Sequence, residues 1–542
     1  MTEPYDYARG RLRWAAYWLL ILTSTGAMTG RVLSVTAPDG RTPFLSANDR
    51  SRWCTIRSLV DAGAFEIDDV IVKDPAAVNF DRRFDKSWHS IDLVRHRGRD
   101  GREHYYSSKP TLLPILMAAP YWLLNRLAGV SVAENPFYVG RVTLLVVNVL
   151  PLLLSFLLFA NLVERYGTTD WGRMFTVACA TWGTYLTTYA VTLNNHLPAA
   201  ISVLVAIYAA LAVWRERDLA WYWFALAGFC SAFAAANELP ALSLTAAVAV
   251  ALAIRSPLRT ALLFVPAAAL VAVAFFGANY WAHESLIPPY AHRGKDGPRI
   301  AEIDGDFTSS LDKGAVPESL RDDLAQQTEI ELGPDTIAIA KGDRRWTLWD
   351  EQGQHRLAVV QRVAALDVHA WDDWYDYEYS YWTDENKQGV DLGEASRLYY
   401  AFHTTLGHHG VVSLTPIWLL SLVGLVLMFT RRELKFRGYA LLVLSLTLVV
   451  LAFYIARPLA DRNYGGVTTG LRWMFWFAPL WLICLLPAAD LASRHPLFRG
   501  TALLLLTLSV VSAMYGAANP WTHPWLFDYW VYCGLPVPGA GW

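Results

Sequence analysis

Asn48-Asp49-Arg50-Ser51-Arg52-Trp53 opens, and Tyr106-Ser107-Ser108-Lys109-Pro110 closes, a long polar stretch (37–110) that follows the first apolar run of the chain. Chains that cross a membrane many times keep most early loops short. This much polar sequence between the first runs points to chemistry at the membrane surface. A carboxylate, Asp49, stands near the start of the stretch and an ammonium group, Lys109, near its end, each beside an apolar segment.

The rest of the chain sets the class. Hydrophobic residues make up 54% of the 542 residues and charged ones 17%, and the charges gather between long apolar runs. Several runs reach the roughly 18 residues needed to cross a bilayer. The 24 tryptophans and 26 tyrosines suit the headgroup boundary, where amphipathic rings collect. The expected fold is an all-α polytopic membrane protein. A net charge of −2 names no partner, and no basic tract indicates nucleic acid. The five cysteines (Cys54, Cys179, Cys230, Cys484, Cys533) lack metal-ligand spacing. Cys54 and Cys533 fall in polar flanks on the same expected side, where a disulfide is open to them. The arginines Arg9, Arg11 and Arg13 precede an apolar run without a small-residue cleavage site, which reads as a retained signal-anchor.

Spans are expected near 14–34, 138–162, 172–192, 197–214, 221–237, 239–254, 260–281, 411–430, 438–456, 472–489 and 500–517. Segment 111–127 is short and carries Pro114 and Pro120. If it does not cross, Arg165/Arg173, Arg215/Arg217, Arg255/Arg259, Arg431/Arg432/Lys435/Arg437 and Arg494/Arg499 all face the side of the N-terminus. If it crosses, the bias inverts. The positive-inside rule thus favours eleven spans plus one helix dipping into the outer face. The expected organisation is an N-terminal transmembrane module (1–281) with the outer loop 37–110 and the dipping segment 111–127. A soluble insertion (282–410), C-terminal spans (411–517) and an outer tail (518–542) follow. In the insertion, Thr336–Ala340 and Arg345–Trp349 alternate like strands, which predicts a small mixed α/β domain. The tract Trp371-Asp372-Asp373-Trp374-Tyr375-Asp376-Tyr377-Glu378-Tyr379 reads either as a carbohydrate platform or as an interfacial aromatic belt.

The candidate site residues sit at the expected outer ends of the spans. Residues 49–64 read as an amphipathic surface helix, with Trp53, Ile56, Leu59 and Val60 on one face and Arg50, Arg52 and Arg57 on others. Asn48 or Asp49 would then cap it. The sharper reading of Asp49 is a general base or ligand held at the water–lipid boundary. Lys109, with Ser107 and Ser108 as further donors, could clamp a phosphate or pyrophosphate headgroup, or simply snorkel. Arg472 ends the turn Asn463-Tyr464-Gly465-Gly466-Val467-Thr468-Thr469-Gly470-Leu471-Arg472-Trp473. Glycines there allow close backbone approach, and the guanidinium can grip phosphate bidentately. Asn194-Asn195-His196 and Asn237-Glu238 add polar groups at membrane depth, where they tend to be functional or mutually satisfied.

The order of these features resembles the GT-C glycosyltransferases, particularly the protein mannosyltransferase and aminoarabinose transferase branch. That resemblance rests on an acidic residue heading a helix in the first outer loop, a Lys-Pro entry to an apolar segment, and a late Tyr-Gly-Gly…Gly-x-Arg turn. The architectural match covers 14–280 and 411–517, and the motifs are limited to 48–53, 106–110 and 464–472. It implies an inner-membrane enzyme with its site on the extracytoplasmic face, moving a sugar from a polyprenyl-phosphate carrier to an acceptor. Asp49 would activate the acceptor, and Lys109 and Arg472, with Ser107 and Ser108, would hold the carrier phosphate. Asn48, Asn195, His196, Glu238 and Tyr464 are candidate sugar or acceptor contacts. The branch usually carries an acidic pair where this chain has Asn48-Asp49-Arg50, so a divalent metal stays open but without a complete acidic pair to support it, and the 282–410 insertion departs from the branch too. The competing readings are an O-antigen ligase- or polymerase-like enzyme, and a noncatalytic transporter or assembly protein. No repeated halves favour a transporter.

Overall fold

The structure, a computed structural model, describes residues 3–350, 355–383 and 385–537. Long apolar runs, with few groups able to compete for backbone bonds, fold into helices. These are α1 (Glu3–Ser34), α2 (Ala47–Asp61), α3 (Leu112–Ala128), α4 (Pro136–Tyr166), α5 (Asp170–Trp182), α6 (His196–Arg215), α7 (Trp221–Asn237) and α8 (Leu239–Arg255). The insertion and the C-terminal region add α9 (Pro257–His283), α10 (Glu318–Gln327), α11 (Arg397–Thr405), α12 (Trp418–Thr430), α13 (Arg437–Ala456), α14 (Arg472–Ala492), α15 (Pro496–Ala518) and α16 (Trp525–Tyr532). By length and composition α4, α6, α9, α13, α14 and α15 can cross a membrane, and α3, α8 and α12 are shorter apolar helices. The chain is a multi-pass membrane protein.

Ion pairs fix how the first helices run. Arg13 near the start of α1 pairs with Glu164 near the end of α4 at 2.9 Å and with Asp170 at 2.9 Å, while Tyr17 donates to Glu164 at 2.5 Å. At the other ends Arg141 donates to the Val35 carbonyl at 2.8 Å. Helices α1 and α4 are therefore antiparallel, with 35 and 141 at one end of the bundle. Between them α3 lies along α2, its Tyr121 hydroxyl reaching Asp61 at 2.5 Å. Other arginines cluster at the Arg13 end. Arg165 pairs with Glu216 at 2.6 Å, and Arg215 donates to the Lys435 carbonyl at 2.7 Å. These guanidinium groups spend their donors on helix ends and loops there.

Two expectations about local structure are corrected. The run 172–192 is not one helix. It stops after Trp182, then makes a single turn (Tyr185–Thr188) and a 3-10 turn (Tyr189–Val191) before α6. Hydroxyls drive the break: Thr184 caps the short turn, and Thr187 and Thr188 donate to backbone carbonyls, the latter to Ala513 at 2.8 Å. Irregular backbone at membrane depth is tolerated where protein encloses it, and here Tyr189, Thr192 and Asn194 are all fully buried. Nor is α2 an amphipathic surface helix. Asn48, Asp49, Ser51, Arg52 and Thr55 are buried along with Trp53 and Ile56. The rest of the first loop wraps over it: Phe44 stacks on Trp53 at 5.0 Å, and Ser51 donates to the Asp92 carbonyl at 2.6 Å.

In that loop, strands β1 (Leu93–Arg97) and β2 (Glu103–Ser107) form an antiparallel hairpin. The insertion holds a five-stranded antiparallel sheet of β3 (Asp296–Asp304), β4 (Ile337–Gly342), β5 (Arg345–Asp350), β6 (His355–Gln361) and β7 (Ala365–Trp371) in the order β3-β7-β6-β5-β4. The alternation at 345–349 becomes β5, paired with β4 from Ile337↔Trp349. One sheet face closes over its own core of Ile303, Leu320, Leu324, Leu348, Val359 and Val368. The aromatic tract 371–379 is neither a sugar platform nor a membrane belt. Tyr375 and Tyr377 are buried, and Trp374 is stacked between His292 at 3.6 Å and His96 at 4.0 Å. Its carbonyl accepts from the Arg95 amide at 2.9 Å, so the tract straps the insertion onto the first loop.

Candidate active site

Asp49 sits in the first turn of α2, but the cap of that helix is Ser46, whose hydroxyl accepts from the Asp49 amide at 3.1 Å. Asp49 answers by accepting from the Leu45 amide at 3.2 Å, close to a capping box. The same oxygen, Oδ2, accepts from the Thr192 hydroxyl at 2.8 Å. Thr192 is available because the helix has broken before it. Its hydroxyl in turn accepts from the Trp521 indole at 3.1 Å. Oδ1 is buried and makes no hydrogen bond of ordinary geometry, although the Leu193 amide points at the carboxyl closely enough to favour its ionised form. Burial pushes the Asp49 carboxyl up to about 6, against the smaller pull of Thr192, Leu45 and Arg52. One oxygen anchored and one free, with a pKa near neutrality, is the form of a general base.

Beside Asp49 a continuous hydrogen-bonded chain crosses four parts of the sequence. Arg52 donates to Asn48, through both its carbonyl (3.0 Å) and its side chain, and to Asn195 Oδ1 at 2.7 Å. Asn195 donates to Glu238 at 2.7 Å, and His196 Nδ1 meets the same Glu238 oxygen. His196 Nε2 then accepts from Arg472 at 3.2 Å. Asn48, Asn195, His196, Glu238 and Arg472 are thus brought together. Asn48 spends its oxygen on Arg52, and among the described residues no group of three or more His, Cys, Asp or Glu could hold a metal ion.

Arg472 opens the 3-10 turn at the start of α14. Its guanidinium lies 5.0 Å from the centre of the Trp521 ring, and its Nε is buried without a partner. The turn before it has a reason for glycine. Gly465 has φ +96°, and a Cβ there would sit 2.6 Å from Arg472 Nε. Gly465→Ala is expected to push the guanidinium out of line and to lower kcat/KM by about tenfold or more, since ångström-scale misplacement at a site is this costly. A kinetic comparison checks it; an unchanged rate would mean the side chain shifts freely.

Lys109 does not snorkel. Its ammonium is largely enclosed and pairs with Asp92 at 2.8 Å. Burial draws it down to about 8, opposed by Asp92 and assisted by the positive fields of Arg52 and Arg472, which places the three cations in one neighbourhood. Burial likewise lowers Arg52 to about 10. Breaking a buried pair by removing one partner costs about 3–5 kcal/mol in general. Asp92→Asn is therefore expected to lower the unfolding midpoint clearly, and Asp92→Asn with Lys109→Met to recover much of it without regaining activity. A double mutant no more stable than Asp92→Asn would mean that the pair contributes little.

Three candidates are placed differently from their expected roles. The Ser107 hydroxyl is taken up by Ser51 at 2.6 Å and the Lys109 amide at 3.2 Å. Ser108 is buried against Tyr375. Tyr464 turns away into an aromatic group with Tyr400 and His409, its ring 4.4 Å from that of His409. Residues that the sequence reading did not select complete the site: Arg52, Asp92, Thr192, Trp521 and Asp391. Asp391 accepts from Asn463 and Tyr381, each at 3.0 Å, and so ties the glycine turn to the segment that follows the strap. Cys54 and Cys533 are free thiols, the first buried and the second exposed. Next to the Arg472 turn lies a small pocket lined mainly by apolar groups, among them Tyr185, Val411, Leu414, Trp418, Leu471 and Phe475.

Solved structures similar to this chain include the apo Archaeoglobus fulgidus oligosaccharyltransferase, at 11% identity and TM-score 0.41, over 94% of this chain and 56% of that one. Another is the archaeal oligosaccharyltransferase from the same organism in complex with an inhibitory peptide and a dolichol-phosphate. It matches at 11% identity and TM-score 0.40, over 95% of this chain and 58% of that one. A third is the Saccharomyces cerevisiae protein O-mannosyltransferase complex bound to the sugar donor, at 11% and 0.42, over 94% and 90%. The chain spans little more than half the length of the archaeal proteins. No family model and no curated protein matches the chain.

Proposed function

We propose that this protein is an integral membrane glycosyltransferase of the GT-C type, moving a sugar from a polyprenyl-phosphate carrier to an acceptor. The observation that carries the reading is the pairing of opposites in one buried neighbourhood. A carboxylate with a free oxygen, Asp49, lies with three cations, Arg52, Lys109 and Arg472, at the end of an apolar bundle. The acceptor hydroxyl would lose its proton to Asp49 Oδ1 while its oxygen forms the new bond to the anomeric carbon. The bond from that carbon to the carrier phosphate breaks, and polyprenyl phosphate leaves with the electron pair. Lys109 and Arg472 would take the charge that develops on it, in a largely dry site where such interactions are strong. Phosphate arriving at Lys109 competes with Asp92, and the small apolar pocket beside the Arg472 turn would have to open to admit the first isoprene units.

In this reading eleven helices cross, α3 dips into the outer face, and loop, insertion and tail lie together outside the cytoplasm, in a bacterial-type inner membrane. The cytoplasmic face is then the end where Arg13, Arg165 and Arg215 pair. Purified protein in proteoliposomes should release free polyprenyl phosphate from a polyprenyl-phosphate sugar when a suitable acceptor extract is supplied. Absence of turnover across a panel of such donors, with the protein folded, would remove the proposal.

A further inference from the structure

Arg472 is held by an imidazole. Other part-buried guanidinium groups sit directly on a carboxylate, as Arg13 does on Glu164 and Arg293 on Asp461. Arg472 instead reaches a carboxylate only through an imidazole. Since a guanidinium can only donate, His196 Nε2 must be the acceptor. The proton of a neutral ring then lies on Nδ1, which faces Glu238, and that carboxylate also accepts from Asn195. The partners of one ring nitrogen thus fix the tautomer of the other. His196 and Glu238 are both buried, so neither has an alternative partner in water.

We propose that His196 and Glu238 are positioning residues for Arg472: a neutral imidazole, fixed by the carboxylate, aims the guanidinium without cancelling its charge. This rests on the reading that Arg472 holds the carrier phosphate. A carboxylate bonded directly to Arg472 would compete with the phosphate for the same N–H groups. An imidazole supplies one lone pair and no charge, leaving the remaining donors and the full positive charge to the anion. Asn195 extends the arrangement, because it holds Glu238 with its amide while its oxygen accepts from Arg52. Two of the three cations are thereby set in register through one carboxylate. Sugar or acceptor contact, the role expected for His196 and Glu238 from sequence, is not needed to account for either.

The test is binding of a radiolabelled polyprenyl monophosphate to the full-length protein in nanodiscs. Loss of a residue that orients a metal ligand costs about 10–100-fold in affinity, and on the same scale H196A is expected to weaken phosphate binding by about tenfold or more, as is R472A. H196Q, whose amide can accept from Arg472 and donate to Glu238, should stay within about threefold of wild type. H196L fills the same space without an acceptor and is measured beside H196A, so that poor folding of one does not decide the outcome. In an R472A background, H196A should add almost nothing, which a merely structural role would not produce. If H196A and H196L bind like wild type while R472A is weak, the positioning role is overturned and the phosphate reading stands. Wild-type binding by R472A would overturn both.

Discussion

Asp49→Asn is expected to abolish sugar transfer, by about 10³-fold or more in kcat, while making the protein more stable at pH 7. The loss follows from the proposed role of Asp49 as the base, whose share in general-base catalysis is about 10²–10⁴-fold. The gain follows from burial. Asparagine can keep the bonds from Leu45 and Thr192 on its amide oxygen, and puts a neutral NH2 where Oδ1 now lies unpartnered. The sign is set by the raised carboxyl, about 6 against an ordinary 3.8. A group whose folded pKa is raised contributes stability below its unfolded pKa and loses it as pH rises through the folded one. Between pH 4 and 6 the native protein therefore gives up stability that the Asn variant retains, on the order of 3 kcal/mol at pH 7 by linkage. Thermal unfolding of both proteins across pH 4–8 checks this. Activity of the native protein should rise with pH around 6, and an Asn variant that is both active and less stable would contradict the assignment.

Arg472→Ala should cost about 10²–10³-fold in kcat/KM, the usual scale for removing a group that meets developing charge. Arg472→Lys should recover only part of this. Lysine restores the charge but not the planar fork, and a single ammonium cannot point at His196 and at a phosphate in the same way. Steady-state kinetics with a polyprenyl-phosphate sugar separates the two effects. Lysine performing as well as arginine would mean that charge alone matters, and that the link to His196 is incidental.

Much of the fold is legible in the sequence because membrane helices declare themselves locally. The apolar run 197–214 becomes α6, and 438–456 becomes α13, within two residues at either end. The break after Trp182 is not legible. The stretch 183–192 is apolar enough to continue a span, and it is interrupted because threonine hydroxyls find backbone carbonyls on distant helices such as α15. The hidden break also conceals Thr192, whose hydroxyl is free to reach Asp49 only because the helix has ended before it. Asp49, Lys109 and Arg472 stood out because each is a charge beside an apolar run. Asp92 did not, since its partner Lys109 lies across the β1–β2 hairpin with no periodic relation to it. Trp521 and Asp391 come from the tail and from the segment after the strap, and only the folded chain brings them near Arg472. The exposed-looking aromatics at 371–379 misled for a related reason. Their rings are polar-edged and suit a surface, yet His96 and His292 enclose Trp374 on both faces.

Ser107 and Tyr464 show the limit of reading roles from adjacency. Both flank residues of the site, at 109 and 472, and both point elsewhere, to Ser51 and to His409. A strand or a left-handed turn reverses the side chain within one or two positions. Tyr464 has φ +59°, which turns its ring away from the path that Gly465 opens for Arg472.

The measurement that bears most directly on the whole account is a cryo-EM structure of the protein in nanodiscs with a polyprenyl monophosphate bound. Phosphate density is expected within hydrogen-bond reach of Lys109 and Arg472, facing Asp49 Oδ1. The first isoprene units should enter the apolar cavity beside Leu471 and Phe475. A lipid phosphate bound elsewhere on the protein, with Lys109 still on Asp92 and this cavity empty, would contradict it.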